Sequence, residues 1–459
     1  MLAALACLAS LTASPHLDVR VDPRIELLTI VFRLAEAGEF SQPSSESPYS
    51  KRVDAYFAKY KTHPAVLAAA KVREEDGISF NAVTNLAVHL KDTKSLGEQV
   101  PFDPTPGRWD PRWKPAVARA FVKELKRFVN DTRFNDFVAS ESTFYKKAVG
   151  GMRKLVAKYP VDRWLPPFYG VAPKKKPFAI VGLLCGGGNY GMSVQFPDKS
   201  LLMCPVLGAH SFDPEGIPQY DASSVATVVH EFSHAYVNDL VEPYVPRLKP
   251  IIEKYTPTLA DVWWAGAYEG AATIAYESFV RGVESYMVRK HLPARDALEV
   301  VIDQRSSGFL WTSDLDGALD QYASNRAKFK TLRDFLPVWI EVFEKAARAP
   351  EQLYGRCPKV TGVETEFGEL DADHQSVKVT VRFDQPMMTD KRGFNMEPAG
   401  YEVIEKTHYA ADGLSLSLTL KIQKGTEYTV HLNRFGRGYV SETGYPVLPV
   451  NRPLRAAGR

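Results

Sequence analysis

The hydrophobic pattern of this 459-residue chain changes near its last quarter, and this change constrains the fold more than any other feature. Before it, apolar residues recur at three- and four-residue intervals, as in residues 115–159, which is typical of amphipathic helices. After it, Val377, Val379 and Val381 alternate with polar residues, and turn residues recur about every ten positions. We therefore predict an α+β protein in which a mostly helical region is followed by an all-β sandwich.

Composition narrows the class of protein. Hydrophobic residues make up 45% of the chain and charged residues 24%, which excludes a collagen, a disordered chain and a polytopic membrane protein. The 57 basic and 54 acidic residues leave a net charge of +3, so nucleic acid is not an expected partner. The short basic run at residues 174–176 lies between prolines and is predicted to be a solvated loop.

The first residues are predicted to be an export signal. The apolar run from Leu2 to Ala13 is too short to span a bilayer, which takes about 20 residues. It fits the core of a signal peptide over residues 1–14, although no basic residue precedes it. We expect a secreted or periplasmic protein without stable membrane insertion. Cys7 leaves a lipid-anchored surface form open.

Strand patterns also occur inside the helical region. The apolar runs at 178–185, 192–196 and 200–206 predict a small antiparallel sheet joined by tight turns. Two cysteines lie on these runs, Cys185 and Cys204, and they form a disulfide if their strands are antiparallel or remain buried thiols.

The C-terminal pattern carries a resemblance of its own. Residues 382–387 and 428–430 are similar to stretches of the Ig-like modules appended to bacterial surface and secreted proteins. We therefore expect a first domain over residues 15–355 and an Ig-like β-sandwich over residues 358–450.

The sharpest chemical signal is the sequence His230-Glu231-Phe232-Ser233-His234. On a helix, residues four apart lie on the same face, so the two histidines can bind one ion. Zinc takes neutral nitrogen and anionic oxygen ligands and keeps an open position for catalysis. Glu231 lies beside this position, where it can accept a proton from water. We predict one Zn²⁺ per chain, with Glu231 as the general base.

A third ligand is expected from a second helix within residues 263–291. Glu277 is preferred because mostly apolar residues flank it, an unusual setting for an unpaired carboxylate. Arg281, one turn further on, is predicted to orient it. Glu269 and Glu284 remain the alternative ligands.

The motif and the later helical glutamate resemble the gluzincin group of zinc metallopeptidases, and a set of secreted bacterial gluzincin-like proteins in particular. The resemblance implies a zincin-like domain in which His230, His234 and Glu277 bind zinc and Glu231 is the general base. It also implies hydrolysis of a peptide or protein substrate. Many gluzincins place an Asp shortly after the glutamate ligand, whereas Arg281 stands there in this chain.

Substrate contacts are predicted less directly. The glycine-rich stretch 186–191 permits close backbone approach, so Asn189 and Tyr190 are candidate substrate-binding residues. Tyr190 and Tyr322 are candidate donors to the oxyanion. No GxSxG turn is present, which disfavours a serine hydrolase.

Two other functions remain open at this level. The chain could be a non-catalytic surface binding protein that keeps the zincin scaffold and binds through its Ig-like module. It could also hydrolyse a non-peptide amide or act as an exopeptidase.

Overall fold

A computed structural model describes residues 17–454 of the chain. The predicted signal segment, residues 1–14, lies outside this range. The chain divides into two compact units, one ending at Tyr236 and one beginning at Val237. The predicted boundary between residues 355 and 358 therefore falls inside the second unit. No helix within residues 17–454 has both the length and the apolar character that crossing a membrane requires.

The first unit is mainly helical. Its helices are α1 (Pro23–Leu34), α2 (Pro48–Phe57), α3 (Pro64–Asp76), α4 (Asn81–His89), α5 (Pro115–Asp131), α6 (Phe134–Ser140), α7 (Ser142–Ala148), α8 (Gly150–Lys158) and α9 (Val161–Tyr169). A further helix, α10 (Ser223–Val241), begins in this unit and crosses the division.

Local sequence explains where these helices begin and which face they bury. Asp22 caps α1 by accepting the backbone N–H of Arg24 at 3.0 Å, and Pro23 occupies the first turn. Helix α5 buries an apolar stripe at three- and four-residue spacing, which includes Phe121, Leu125 and Phe128. The helices that the spacing predicts in this region are therefore confirmed.

The strands of the first unit differ from the predicted antiparallel sheet. They are β1 (Asp18–Arg20), β2 (Phe178–Gly182), β3 (Ser193–Gln195), β4 (Leu201–Met203) and β5 (Val206–Gly208). Strands β1, β2 and β5 form a parallel sheet in the order β1-β2-β5. Only β3 and β4 pair antiparallel. β1 was not recognised because it has three residues and pairs with a strand about 160 residues away, which no local pattern reports.

The cysteines of the described chain are free thiols. Cys185, Cys204 and Cys357 are all buried. Of the two states that the sequence left open for Cys185 and Cys204, the structure has the unpaired one. Burial raises the pKa of all three thiols, so they behave as small apolar side chains.

The second unit begins with a helical layer. Its helices are α11 (Val245–Ile252), α12 (Thr256–Ala265), α13 (Gly270–His291), α14 (Ala294–Ser306), α15 (Thr312–Ser324), α16 (Leu332–Ala347) and α17 (Pro350–Tyr354). Large aromatic side chains fill the space around α13. The ring of Phe279 lies 4.8 Å from that of Trp339, and Trp311 and Trp339 have no exposed surface.

The C-terminal region consists of two antiparallel sheets. Its strands are β6 (Val360–Glu369), β7 (His374–Phe383), β8 (Phe394–Glu397), β9 (Glu402–Tyr409), β10 (Ser415–Gln423), β11 (Tyr428–Leu432) and β12 (Val450–Leu454). One sheet has the order β6-β7-β10-β9 and the other β12-β11-β8. Residues from both sheets, such as Val379, Leu418 and Val430, share one buried core. The predicted alternation is confirmed, since Val377, Val379 and Val381 have no exposed surface.

Candidate metal centre

Helix α10 holds the two motif histidines on one face. The helix starts where the carboxylate of Asp221 accepts the backbone N–H of Ser223 at 2.9 Å. Four residues separate His230 from His234, and their Nε2 atoms lie 3.1 Å apart. Two ligands of a tetrahedral zinc ion with bonds of about 2.0 Å are roughly 3.3 Å apart. The spacing of the two nitrogens therefore fits one ion.

Glu277 completes the group. It lies on α13, and its side chain is buried. The candidate ligand atoms of His230, His234 and Glu277 all lie within 4.8 Å of one another. Within residues 17–454, no other set of three such side chains brings its ligand atoms this close. Two imidazoles and a carboxylate are a donor set that zinc binds in proteins, so this group could hold a metal ion.

The alternative third ligands lie outside this group. Glu269 is exposed and occupies the N-cap position of α13. Glu284 is buried further along the same helix but is not among the three clustered side chains. Glu277, the carboxylate with apolar residues on both sides in the sequence, is therefore the candidate that lies beside the histidines.

Arg281 lies next to Glu277, as the sequence predicts. Its Nη2 atom is 3.3 Å from the Glu277 carboxylate and also donates to the Tyr268 hydroxyl. Its guanidinium carbon lies 4.5 Å from the centre of the Phe309 ring. Burial lowers the pKa of Arg281, but nearby carboxylates, Glu277 and Glu284 among them, favour its charged form, and the pKa is raised. The structure therefore places a charged guanidinium beside the Glu277 carboxylate.

Tyr268 is a residue that the sequence analysis missed. It precedes α13, and its ring packs edge-on against Phe309 at 5.3 Å. Burial raises its pKa to about 12, so it stays protonated as it accepts from Arg281. No sequence pattern singles out one tyrosine among 21 for this contact.

In the glycine-rich stretch, residues 186–191, the Asn189 side chain forms hydrogen bonds within the loop and to the adjacent strand. The Asn189 carboxamide accepts the Gly208 N–H at 2.9 Å and donates to the Gly187 carbonyl at 3.1 Å. The Asn189 side chain therefore ties the loop to β5. Tyr190 is 7% exposed, and burial raises the pKa of its hydroxyl. The structure thus places the Asn189 side chain in a structural contact and the Tyr190 hydroxyl in a buried position.

Gly191, at the end of this stretch, is the residue that touches the motif helix. A Cβ atom at this position would lie 2.8 Å from the Glu231 carbonyl oxygen and 2.8 Å from the His234 Cβ. These distances are shorter than ordinary contacts between heavy atoms. Only glycine lets the backbone approach α10 this closely. The close backbone approach that these glycines permit is therefore made to α10, whereas the sequence pattern predicts it towards a substrate.

The chain that follows Gly191 forms a two-stranded ribbon. Tyr190 and Val206 exchange backbone hydrogen bonds at 2.8 and 2.9 Å, and β3 and β4 continue the same antiparallel register. Gly191 and Gln195 alternate with the bonded residues, so their backbone groups point to the opposite edge. There they form no hydrogen bond with any residue between 17 and 454. Both residues are partly exposed.

Tyr322 lies in the core of the helical layer. It has no exposed surface, and its ring stacks on Phe335 with centroids 5.4 Å apart. Burial raises its pKa to about 12. A side chain enclosed in this way is not placed to donate a hydrogen bond to the oxyanion of a substrate.

Fold and site together define a mixed helical and β protein with a group of three side chains that could hold a metal ion. The chain belongs to the family described as Domain of unknown function (DUF4932), which matches residues 17–342. The match includes the whole three-residue group and ends before the C-terminal sheets. Curated proteins give no match, and neither do solved structures.

Proposed function

We propose that the protein is a zinc metallopeptidase of the gluzincin type. One observation carries the proposal: His230, His234 and Glu277 bring two imidazole nitrogens and a carboxylate within 4.8 Å of one another. A mononuclear zinc site needs three such ligands and an open fourth position. In this proposal the helical region is zincin-like and the two C-terminal sheets form an Ig-like sandwich. Export by residues 1–14 remains a prediction.

In the proposed reaction, the zinc ion and the residues of the protein would have separate roles. A zinc ion held by the three ligands would polarise a peptide carbonyl and make water at the site more acidic. Glu231 follows a ligand directly on α10 and is 7% exposed. Its carboxylate would take the proton from the attacking water and deliver it to the leaving amine. Its burial shields the proton from solvent during this transfer.

The ribbon supports a role in holding an extended substrate. The unbonded backbone groups of Gly191 and Gln195 lie along one edge of the ribbon, and Gly191 itself touches α10 beside His234. An extended peptide can add to such an edge by backbone hydrogen bonds. This would place the scissile bond near the metal group. The substrate class is therefore a peptide or an unfolded segment of a protein.

Glu231→Gln tests the mechanism. The substitution preserves size but removes the proton acceptor, so zinc content should stay at one ion per chain while peptide hydrolysis falls by at least about 100-fold. The matched control is Glu242→Gln, which changes an exposed carboxylate just after α10. It should leave both readouts unchanged. Hydrolysis of a mixed peptide library by Glu231→Gln at the wild-type rate would refute the mechanism.

A further inference from the structure

We infer that the C-terminal β-region is a fixed brace for α13 and positions Glu277 through one turn of chain. Two segments connect the β-region to α13. The tail loop is residues 433–445, which follow β11. The bridging turn is residues 307–311, which join α14 to α15. The part of the inference that concerns metal binding rests on the proposed function, whereas the mechanical part does not.

Gly436 in the tail loop is seated directly on the helical layer. A Cβ atom at this position would lie 1.9 Å from the Ser306 carbonyl oxygen and 2.6 Å from Val262 Cγ1. Its φ angle of +80° also favours glycine. The tail loop therefore touches the backbone at the end of α14 and a side chain of α12. No side chain fits between these surfaces.

Arg305 fastens the same loop. It is 8% exposed, and its Nη1 atom donates to the carbonyl oxygens of Thr443 and Gly444 at 3.3 and 3.1 Å. Its guanidinium carbon lies 3.9 Å from the centre of the Tyr445 ring. Its Nη2 atom donates to the Ser313 hydroxyl at 2.6 Å. One buried arginine thus links α14, α15 and the tail loop.

Ion pairs surround this contact. Lys391 lies 2.6 Å from Glu299. Two further pairs join tail arginines to the helices: Arg434 with Asp261 at 3.7 Å, and Arg437 with Asp303 at 3.4 Å. Their carboxylates are well exposed, so they add little energy. Three pairs along one border nevertheless favour a single orientation of the tail.

The bridging turn, which directly follows the end of α14 that the tail loop touches, contacts α13 through two aromatic side chains. Trp311 donates from Nε1 to the Ser278 hydroxyl at 2.9 Å, and Ser278 is the residue after Glu277. Phe309 lies beneath the Arg281 guanidinium, whose Nη2 atom is 3.3 Å from the Glu277 carboxylate. The turn therefore contacts two residues that follow the candidate ligand on α13, and one of them lies beside its carboxylate.

These contacts form one continuous packed path. The tail loop presses on Ser306, the bridging turn begins at the next residue, and the turn supports Ser278 and Arg281. Packed interiors transmit displacement because they contain little free volume. A shift of the tail loop would therefore change the position of Glu277. Gly436 and Arg305 are positioning residues in this account, since neither belongs to the three-residue metal group.

Gly436→Ala tests the inference, with Gly425→Ala as its matched control. Gly425 lies in the same β-region and has a similar φ of +75°, but no atom lies within 4 Å of its added Cβ. Both variants lose the conformational freedom of glycine, and only the first collides with the helical layer. In the full-length protein we expect Gly436→Ala to bind zinc about tenfold more weakly than Gly425→Ala. The backbone amides of residues 274–282 should also exchange hydrogen faster in Gly436→Ala without metal.

The possible results separate the two claims. Equal zinc affinity and equal exchange in the two variants would overturn the brace. If wild-type protein does not bind zinc, the proposed function fails, and the exchange comparison still decides the mechanical claim. If Gly436→Ala does not fold, Arg305→Lys replaces it, because lysine keeps the charge but loses the forked contact with the tail carbonyls. Exchange in residues 274–282 of Arg305→Lys at the wild-type rate would then refute the brace.

Discussion

Gly191→Ala perturbs the candidate metal group without changing any of its ligands. The added methyl carbon would lie 2.8 Å from the Glu231 carbonyl oxygen and 3.0 Å from His234 Cδ2. Carbon contacts are ordinarily about 3.5–4.0 Å, so the ribbon or α10 must move by roughly 0.7 Å. Either movement displaces the imidazole of His234 or tilts the helix that carries it.

The size of the effect follows from the geometry of metal binding. Ligand distances at a zinc site are fixed to within about 0.2 Å, which is less than the displacement that the methyl group requires. Changes beside a ligand typically weaken metal binding about 10–100-fold, which corresponds to about 1.4–2.8 kcal/mol. Overpacking at this contact should also lower the free energy of unfolding by about 1–3 kcal/mol.

The assay is zinc competition against a chromophoric chelator, with Gly187→Ala as the control. An added Cβ at Gly187 meets only Gln42 Oε1 at 4.0 Å. We therefore expect wild-type zinc affinity in Gly187→Ala and at least tenfold weaker binding in Gly191→Ala. Equal affinity in the two variants would show that the ribbon does not position His234.

Three further predictions concern groups around the site and in the first unit. Burial raises the pKa of Glu26 from 4.5 to about 7. Its contribution to the free energy of unfolding is therefore full below pH 4.5 and decreases by about 3 kcal/mol as the pH rises to 7. Urea titrations at several pH values should show this decrease in the wild type and not in Glu26→Gln. Asp22→Ala removes the cap of α1 and leaves the buried Arg24 without its carboxylate; it should lower the free energy of unfolding by about 3–5 kcal/mol with zinc affinity unchanged. Arg281→Met should weaken zinc binding about tenfold, and affinity equal to wild type would exclude a positioning role for Arg281.

Local patterns were enough to predict the parts of the site that depend on local geometry. The i, i+4 spacing of His230 and His234 determines their shared face once α10 forms. Burial of Glu277 could be inferred from its apolar neighbours, because an unpaired carboxylate is costly in such a setting. The alternation in β7 likewise reports directly which residues face the core.

Non-local contacts were not predictable in the same way. Strand β1 has too few residues to show a pattern, and its partner β2 is distant in sequence. Gly191 and Gly436 resemble any loop glycine until the surfaces that they touch are known. Tyr322 was predicted as a donor to the oxyanion from its residue type, but the helical layer encloses it. The residue type shows which chemistry a side chain can perform. Its access to a substrate depends on how distant segments pack around it.

The pH dependence of Glu26 shows a related limit. The residues next to Glu26 in the sequence do not reveal that the Tyr49 hydroxyl donates to its carboxylate at 2.6 Å. Nor do they reveal that the Tyr145 hydroxyl lies 2.9 Å from the Tyr49 hydroxyl. Complete burial opposes ionisation more strongly than the Tyr49 hydrogen bond favours it. Tertiary burial is therefore the main cause of the raised pKa, and the charges of Asp22 and Glu141 act in the same direction.

Metal analysis of the purified protein tests the central claim most directly. The wild type and the His234→Ala variant are each loaded with excess zinc, passed through gel filtration and measured by inductively coupled plasma mass spectrometry. The account predicts one zinc ion per wild-type chain and none in the folded variant. Wild-type chains without zinc, or equal zinc in the two proteins, would contradict it.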